Sequence, residues 1–382
     1  MSSPPRIAIA MSRLPRLIEP RAEWLRGLRA ALRCIQKLGA TLVTVEGTAG
    51  STFVRRGAER LSVDVETLAN GAGSQPTQSV VDPDIPEKDR LLLSAAEMIL
   101  VLGLRANGYV HHLLRSSLAE GRRVTLLDLP SLQARAARED LMALGATLWR
   151  PTEEEQRPLG DVNTTTFDES VPSAACEIAP IPTGDGWEFL SHTTRSCPGP
   201  WPGQDTTEYV DSLLDDSDDA DHSAVATLSR IVRRRLLRAS SRLIRGRFPV
   251  VCLTQISLQD LPKVRQYRAH RTRWDFEPFG LCINREWLQE RGARPVIYGV
   301  ESTWPQLSEA DRPFFQCVRP PEADTQQSGG IDWAVEQEWR HVGDLDLRKL
   351  PADAAYVFVP DFESAKRLAP ISPWPITLWA GG

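Results

Sequence analysis

The chain has 382 residues and a formal net charge of -5 at pH 7, with 41% hydrophobic and 25% charged residues. That length exceeds one ordinary hydrophobic core and predicts two domains; the composition excludes a disordered or fibrous chain, and the negative charge argues against a general nucleic-acid-coating surface, which needs cationic excess. No run reaches the roughly 18 apolar residues of a membrane span, and the Ile7–Met11 run is too short for a signal peptide, so a cytoplasmic protein without a membrane partner is expected. Six cysteines (Cys34, Cys176, Cys197, Cys252, Cys282 and Cys317) lack CxxC or zinc spacing, which predicts reduced thiols and no metal.

Residues 6–150 alternate strand and helix patterns. Arg6–Met11 is a buried strand, Glu19–Leu38 a helix with Trp24, Leu25, Leu28, Leu32 and Ile35 on one face, and Ala40–Glu46 a second strand. The loop Gly47–Thr52 leads into a helix over Phe53–Leu61. Glu97–Leu102, Arg123–Leu127 and Thr147–Trp149 read as strands, Tyr109–Glu120 and Leu132–Leu144 as helices. Such alternation predicts an α/β domain with a mainly parallel, Rossmann-like sheet. Its ligands sit beyond the strand C-terminal ends, where Gly47–Thr52 and Gly103–Gly108 both fall. A small-residue loop before a helix can cradle phosphate with backbone N–H groups, although glycine loops after strands also serve as plain turns.

Neither loop is a Walker motif or GxGxxG. The stretch DRLLLSAAEMILVLGLRANGYVHHLLRSSLAEGRRVTLLD, residues 89–128, resembles the nucleotide-sensing Rossmann-like superfamily of the DprA and LOG proteins, often called SLOG. On that resemblance Arg90, Gly103 and Gly108 stand at the family's arginine and glycine-loop positions, and Gly47, Gly50 and Ser51 at its phosphate loop; Thr52, next in the same small-residue loop, is a further nucleotide-binding candidate. The glycine-rich PGGxGT signature of the LOG enzymes is absent, which favours nucleotide binding over phosphoribohydrolase activity.

Residues 151–186 carry acidic, polar and proline-rich stretches without periodicity and read as a linker. The second domain, 187–382, is expected to be α+β. Trp187–Arg195 is a strand carrying His192 and Thr194, followed by an irregular Pro/Gly loop. A helix over Ala224–Arg242 presents an apolar stripe and an arginine-rich back, with Arg230, Arg233, Arg234, Arg235, Arg238, Arg242, Arg245 and Arg247 crowding 230–247. Either the upstream acidic run (Asp211, Asp215, Asp216, Asp218, Asp219, Asp221) neutralises these arginines, or they contact phosphate, nucleic acid or a protein target. Phe248–Thr254 and Phe279–Ile283 are apolar strands that make Cys252 and Cys282 packing residues. Arg285–Arg291 is a short helix stopped by Gly292, Pro295–Gly299 a further strand, and a Pro-rich loop surrounds Pro320. Tyr356–Pro360 is a late strand before a helix at Asp361–Leu368. His111 and His112 read as surface groups on their helix.

A strand over Trp333–Val342 would put Glu336, Glu338 and Arg340 on one face, either as an exposed ion-paired edge or as the wall of a cleft. The order H-x-T, LLRASSRLIRG, PVVCLT, PFGLCINREWLQERGARPVIYG, EQEWR resembles the AbiGi-type abortive-infection family of phage-defence proteins and, more distantly, the ADP-ribosyltransferase fold. That resemblance implies an effector domain, 187–382, acting on NAD. His192 would hold the NAD ribose with Thr194 beside it, Glu338 would bind the nicotinamide ribose, Glu336 would orient the acceptor and Tyr298 would stack on nicotinamide. Arg340 would line the cofactor site as a partner of Glu338. The expected whole is an anti-phage protein, monomeric or homo-oligomeric, that senses a nucleotide and modifies a target. The alternative is a non-catalytic nucleotide- or nucleic-acid-binding module using the arginine-rich stretch 230–247.

Overall fold

The computed structural model describes residues 3–15, 17–69, 85–160, 177–180, 186–268, 273–318 and 333–379. Cys176, most of the expected linker and the Pro-rich loop near Pro320 lie outside the described residues. The chain forms two compact units, Met1–Thr165 with Cys197–His222, and Thr166–Ser196 with Ser223–Gly382.

In the first unit the elements are β1 Arg6–Met11, α1 Glu23–Lys37, β2 Thr41–Val45, α2 Ser51–Arg60, β3 Val65–Leu68, α3 Glu87–Ser94, β4 Met98–Gly103, α4 Tyr109–Ala119, β5 Arg123–Leu127, α5 Arg135–Ala143, β6 Thr147–Trp149 and the short α6 Glu153–Gln156. Six parallel strands lie in the order β3-β2-β1-β4-β5-β6. Strand alternation sends Ile7, Ile9, Leu42, Leu100, Leu102 and Leu127 to one face, under α1 and α2. Ala8, Ala10, Val43, Ile99, Val101 and Leu126 go to the other, under α3, α4 and α5. Both faces being covered, the central strands β1, β2, β4 and β5 are mostly apolar, as a parallel sheet requires, whereas the edge strands β3 and β6 are more exposed. This is the expected Rossmann-like α/β arrangement. The sequence reading missed β3 (VETL) and α3 (EKDRLLLS), two short elements with little apolar periodicity.

A further helix, α7 Thr206–Asp215, which the sequence reading placed in the second domain, packs on this first unit. Tyr209, Val210, Leu213 and Leu214 enter the core beside α1 and α2. The buried Arg29 guanidinium donates to the Leu213 and Leu214 carbonyls at 2.7 and 3.0 Å, satisfying groups a helix end leaves open. Burial pushes its pKa down. Arg56 grips Asp211 through two bonds of 2.8 Å, and Arg60 reaches Asp215 at 2.7 Å. Asp211 and Asp215 therefore neutralise α2, which corrects the expectation that they serve the 230–247 arginines.

The second unit has a seven-stranded mixed sheet, ordered β13 (Arg294–Pro295), β16 (Glu338–Val342), β9 (Val250–Thr254), β7 (Phe189–Thr193), β12 (Gly280–Asn284), β18 (Ala355–Val359) and β19 (Ile376–Leu378). Only the β18–β19 pair in it is parallel. Leu190, Val251, Leu253, Leu281, Ile283, Trp339 and Val357 pack with α8 Ala224–Arg234, α10 Arg285–Gln289 and α11 Phe362–Leu368. Phe189, Cys282 and Phe358 form a smaller core with Leu261 of the single-turn α9 Leu261–Val264. Short pairs complete the unit: β8 Leu236–Leu237 with β17 Leu345–Asp346, β10 Tyr267–Arg268 with β11 Arg273–Trp274, and β14 Ile297–Gly299 with β15 Phe315–Cys317. This is the α+β class expected.

Three sequence expectations are corrected here. The helix from Ala224 stops at Arg234: Arg235 turns left-handed at φ 47°, and Leu236–Leu237 pairs as a strand, so Arg238, Arg242, Arg245 and Arg247 are not on that helix, the last two lying in a separate 3-10 turn. The strand expected over Trp333–Val342 begins only at Glu338, because Trp333–Glu336 is a 3-10 turn and Gln337 is left-handed at φ 44°. Pro295–Gly299 likewise divides between β13 and β14.

Candidate functional site

In the first unit the chain runs β1, β2, β3 to one side and then returns to place β4 against the other side of β1. The strand order reverses there, opening a crevice beyond the strand C-terminal ends where such folds bind ligands. A cavity of about 490 Å³ lies over it, lined by Met11–Pro15 after β1, Gly103–Arg105 after β4, and Trp24, Ser131 and Leu132. Ser12 ties its two sides, donating to the Gly103 carbonyl at 3.4 Å and accepting from the Arg105 amide at 3.3 Å.

A neighbouring cavity of about 350 Å³ sits over the end of β2 and is lined by Glu46, Gly47, Thr48, Gly50, Ser51, Thr52, Phe53 and Arg55; Leu14 borders both cavities. Helix α2 starts here with Gly50 as N-cap at φ 78° and no side chain capping it, which leaves its positive end toward the cavity. A Cβ on Gly50 would lie 2.8 Å from the sulfur of the flexible Met11 side chain, so the backbone angle rather than space is what favours glycine here. Lys88 donates to the Gly47 carbonyl.

Of the residues expected to hold a nucleotide, Gly47, Gly50, Ser51 and Thr52 share this cavity and Gly103 lines its neighbour. Gly108 is the N-cap of α4 and Arg90 lies on α3; neither lines either cavity. Sequence reasoning missed Arg13, Arg55 and Arg105, all exposed on the two cavities and without an ion pair to a described residue. The loop SRLP directly after β1 was the available signal. His111 proves buried, bonded to Asp140 at 2.8 Å, whereas His112 is exposed as expected.

The second unit carries a different kind of site. Strands β7 and β9 share a single ladder pair, Ser191 with Thr254, and beyond it the sheet opens. His192 takes the place of the missing ladder bond: its Nδ1 lies 2.9 Å from the Cys252 carbonyl, which can only accept, so Nδ1 donates. A cavity of about 350 Å³ occupies the opening, lined by His192, Arg195, Cys252, Asp275, Glu336, Glu338 and Arg340 at one end and by Arg238, Arg242, Leu243 and Ile244 at the other. Burial lowers the His192 pKa, and nearby Arg195 adds to this, so the imidazole is neutral at pH 7 with Nε2 left as acceptor.

The two glutamates reach the cavity by different means. Glu338 and Arg340, two apart on β16, share a face; Arg340 is 1% exposed and donates Nε and Nη2 to the two Glu338 oxygens at 2.9 and 3.0 Å. Arg340 also donates to the Pro313 and Phe315 carbonyls and to Gln316, which accounts for its burial. Burial opposes its charge, but the Glu338 pair outweighs that and raises its pKa. Glu336 comes from the 3-10 turn and forms no ion pair with a described residue. Burial, then the nearby charges of Asp275 and Glu338, push its carboxyl up to about 7.

Thr194 is buried and does not line the cavity, where Thr193 takes that place. Tyr298 also stands outside the lining, its hydroxyl accepting from the Glu338 amide at 3.0 Å, so it orients β16. Cys282 is fully buried as expected, but Cys252 is open to the cavity, because β9 turns its opposite face to the core. Burial by its surroundings and the adjacent Glu338 push its thiol up, which makes it a poor nucleophile. Among the described residues no group of three His, Cys, Asp or Glu side chains could hold a metal, and no helix is long and apolar enough to cross a membrane.

No protein-family model matches the chain, and no curated protein matches it. Solved structures similar to part of it include the molybdenum cofactor carrier protein of Chlamydomonas reinhardtii, at 13% identity over 39% of this chain and 91% of that chain, with a TM-score of 0.29. DNA processing protein A of Streptococcus pneumoniae matches at 13% identity over 40% of this chain and 60% of its own, TM-score 0.31. The Helicobacter pylori DNA processing protein A, whose structure concerns its single-stranded DNA binding mode, matches at 15% identity over 38% of this chain and 75% of its own, TM-score 0.27. At such identities and scores the matches carry no argument for function, and the Rossmann-like description of the first unit rests on its own strand order and connections. These comparisons give the resemblance of the second unit to abortive-infection proteins no support.

Proposed function

We propose that the first unit binds a nucleotide, its phosphate at the α2 N-terminus and its remainder toward the crevice beside Ser12 and Gly103. The carrying observation is the uncapped start of α2 at Gly50, opening into a cavity beside the point where strand order reverses. Arg13, Arg55 and Arg105 supply charge for phosphate there, and a nucleic-acid end would use the same groups. Titration of ATP and of a short single-stranded DNA into the full chain tests this. Thr52→Glu, which sets a negative charge at the helix start, is expected to weaken binding at least tenfold; equal binding by wild type and variant would sink the reading.

In the second unit the reading favoured by the paired glutamates is cleavage or transfer at an N-glycosidic bond, with NAD as substrate rather than resident cofactor. The C1′–N bond breaks with its electron pair leaving on nicotinamide, and water or an acceptor nucleophile attacks C1′. Glu338, fixed by Arg340, faces the positive charge developing on the ribosyl group, while Glu336, titrating near neutrality, takes the proton of the attacking nucleophile. Neutral His192 offers Nε2 to a ribose hydroxyl. In a cell, nucleotide binding by one unit and NAD consumption or ADP-ribosylation by the other would make an abortive-infection response to phage, in line with the sequence resemblance. The test is NAD consumption by the full chain against Glu338→Gln. Loss in the variant supports catalysis; wild type that never consumes NAD or labels a target leaves the non-catalytic binding module.

A further inference from the structure

The charges of the second unit's cavity are unevenly balanced along β9. At the Thr254 end, acids and arginines offset one another. Glu338 pairs with Arg340, and Asp275 pairs with Arg268 while its carbonyl accepts from Arg195. Val250, at the other end, is four residues away, about 13 Å along a strand. There Val250 pairs with Ser240, which brings the segment Arg238–Ile244 to the cavity. Arg238 has Asp344 as partner at 3.0 Å, but Arg242 is exposed and forms no ion pair with a described residue. This end therefore carries an arginine charge that no described carboxylate offsets.

The backbone of the same segment is held in an unusual shape. Leu243 is left-handed at φ 70°, a costly conformation for a branched side chain, and it is 64% exposed although it lines the cavity. Ser240 fixes the preceding turn by accepting from the Arg242 amide at 3.2 Å. The strained turn presents one arginine and one apolar side chain to the cavity mouth, a pairing suited to an anion attached to an apolar or aromatic body.

We propose that Arg242, with Arg238 beside it, forms the phosphate seat for a nucleotide whose ribose faces Glu336 and Glu338. This rests on the glycosidic reading of the same cavity and narrows it: the substrate is a phosphorylated nucleoside, and an unphosphorylated one binds poorly. Nicotinamide mononucleotide and nicotinamide riboside share ring and ribose and differ by the phosphate alone, so titrating each into the full chain isolates the seat. The wild type is expected to bind the mononucleotide at least tenfold more tightly. Arg242→Glu should bring the ratio near one with riboside affinity unchanged within about twofold, and Arg242→Lys should keep most of the preference. Equal binding of both probes by the wild type, or a ratio that survives Arg242→Glu, would overturn the seat and leave the glycosidic reading standing. If neither probe binds, both fall.

Discussion

In the first unit the candidate site lies beyond the ends of strands that are themselves largely apolar, whereas in the second it is built from side chains on the strands and in a gap between them. Loops after β1, β2 and β4 can change without disturbing Ile7, Leu42 or Leu100 beneath them. The second site has no such separation. Glu338 and Arg340 alternate along β16 with Trp339, a core residue, and His192 stands in for a ladder bond. Apart from Met11, Trp24, Leu102, Leu104 and Phe53, candidate site and core are thus distinct residues in one unit, whereas they alternate along the same strands in the other.

The sharpest way to break this contrast is to remove Arg340. Arg340→Ala strands Glu338 and three protein acceptors in a buried setting and should lower the second unit's stability by about 3–5 kcal/mol in urea unfolding followed by intrinsic tryptophan emission. A loss below about 1 kcal/mol would separate site from scaffold after all.

Glu336 gives a pH signature of smaller size. Its carboxyl is raised in the folded chain to about 7 from an ordinary value of 4.5, so the folded state holds this proton more tightly than the unfolded one. Its contribution is fully present below pH 4.5 and is lost as pH rises through 7. Glu336→Gln should abolish that loss, worth on the order of 2 kcal/mol after solvent screening, and melting temperature measured from pH 4.5 to 8 would show the variant's advantage growing with pH. Parallel curves would remove Glu336 from the buried set.

The smallest stability effect belongs to the first unit's arginines. Arg55→Glu should change stability by no more than about 0.5 kcal/mol, because Arg55 is exposed and forms no ion pair with a described residue, while weakening ATP binding about tenfold. A large loss of stability there would show that the first site is as coupled to its fold as the second.

This contrast also explains what the sequence shows. Apolar runs at β1, β2, β4 and β5 predict the first sheet because burial on both faces leaves no alternative pattern. Gly50 marks the start of α2 because its left-handed backbone angle favours glycine. The second site is hidden by residues that behave unlike their type. Arg235 and Gln337 turn left-handed without glycine, so the helix from Ala224 and the strand at Glu338 have boundaries that no punctuation announces. Cys252 alternates correctly with Val251 and Leu253, yet its face of β9 meets a cavity because β7 has parted from it. Helix α7 joins the first unit through Arg29, Arg56 and Arg60, partners more than 150 positions away that local patterns do not contain.

The most direct test is hydrogen–deuterium exchange of the full chain with and without saturating ATP. A nucleotide seated at the reversal of strand order should slow exchange over Ser12–Leu14, Gly47–Arg55 and Gly103–Arg105 and leave α4 and α5 unchanged. Unaltered exchange in all three segments, or protection confined to the second unit, would contradict it.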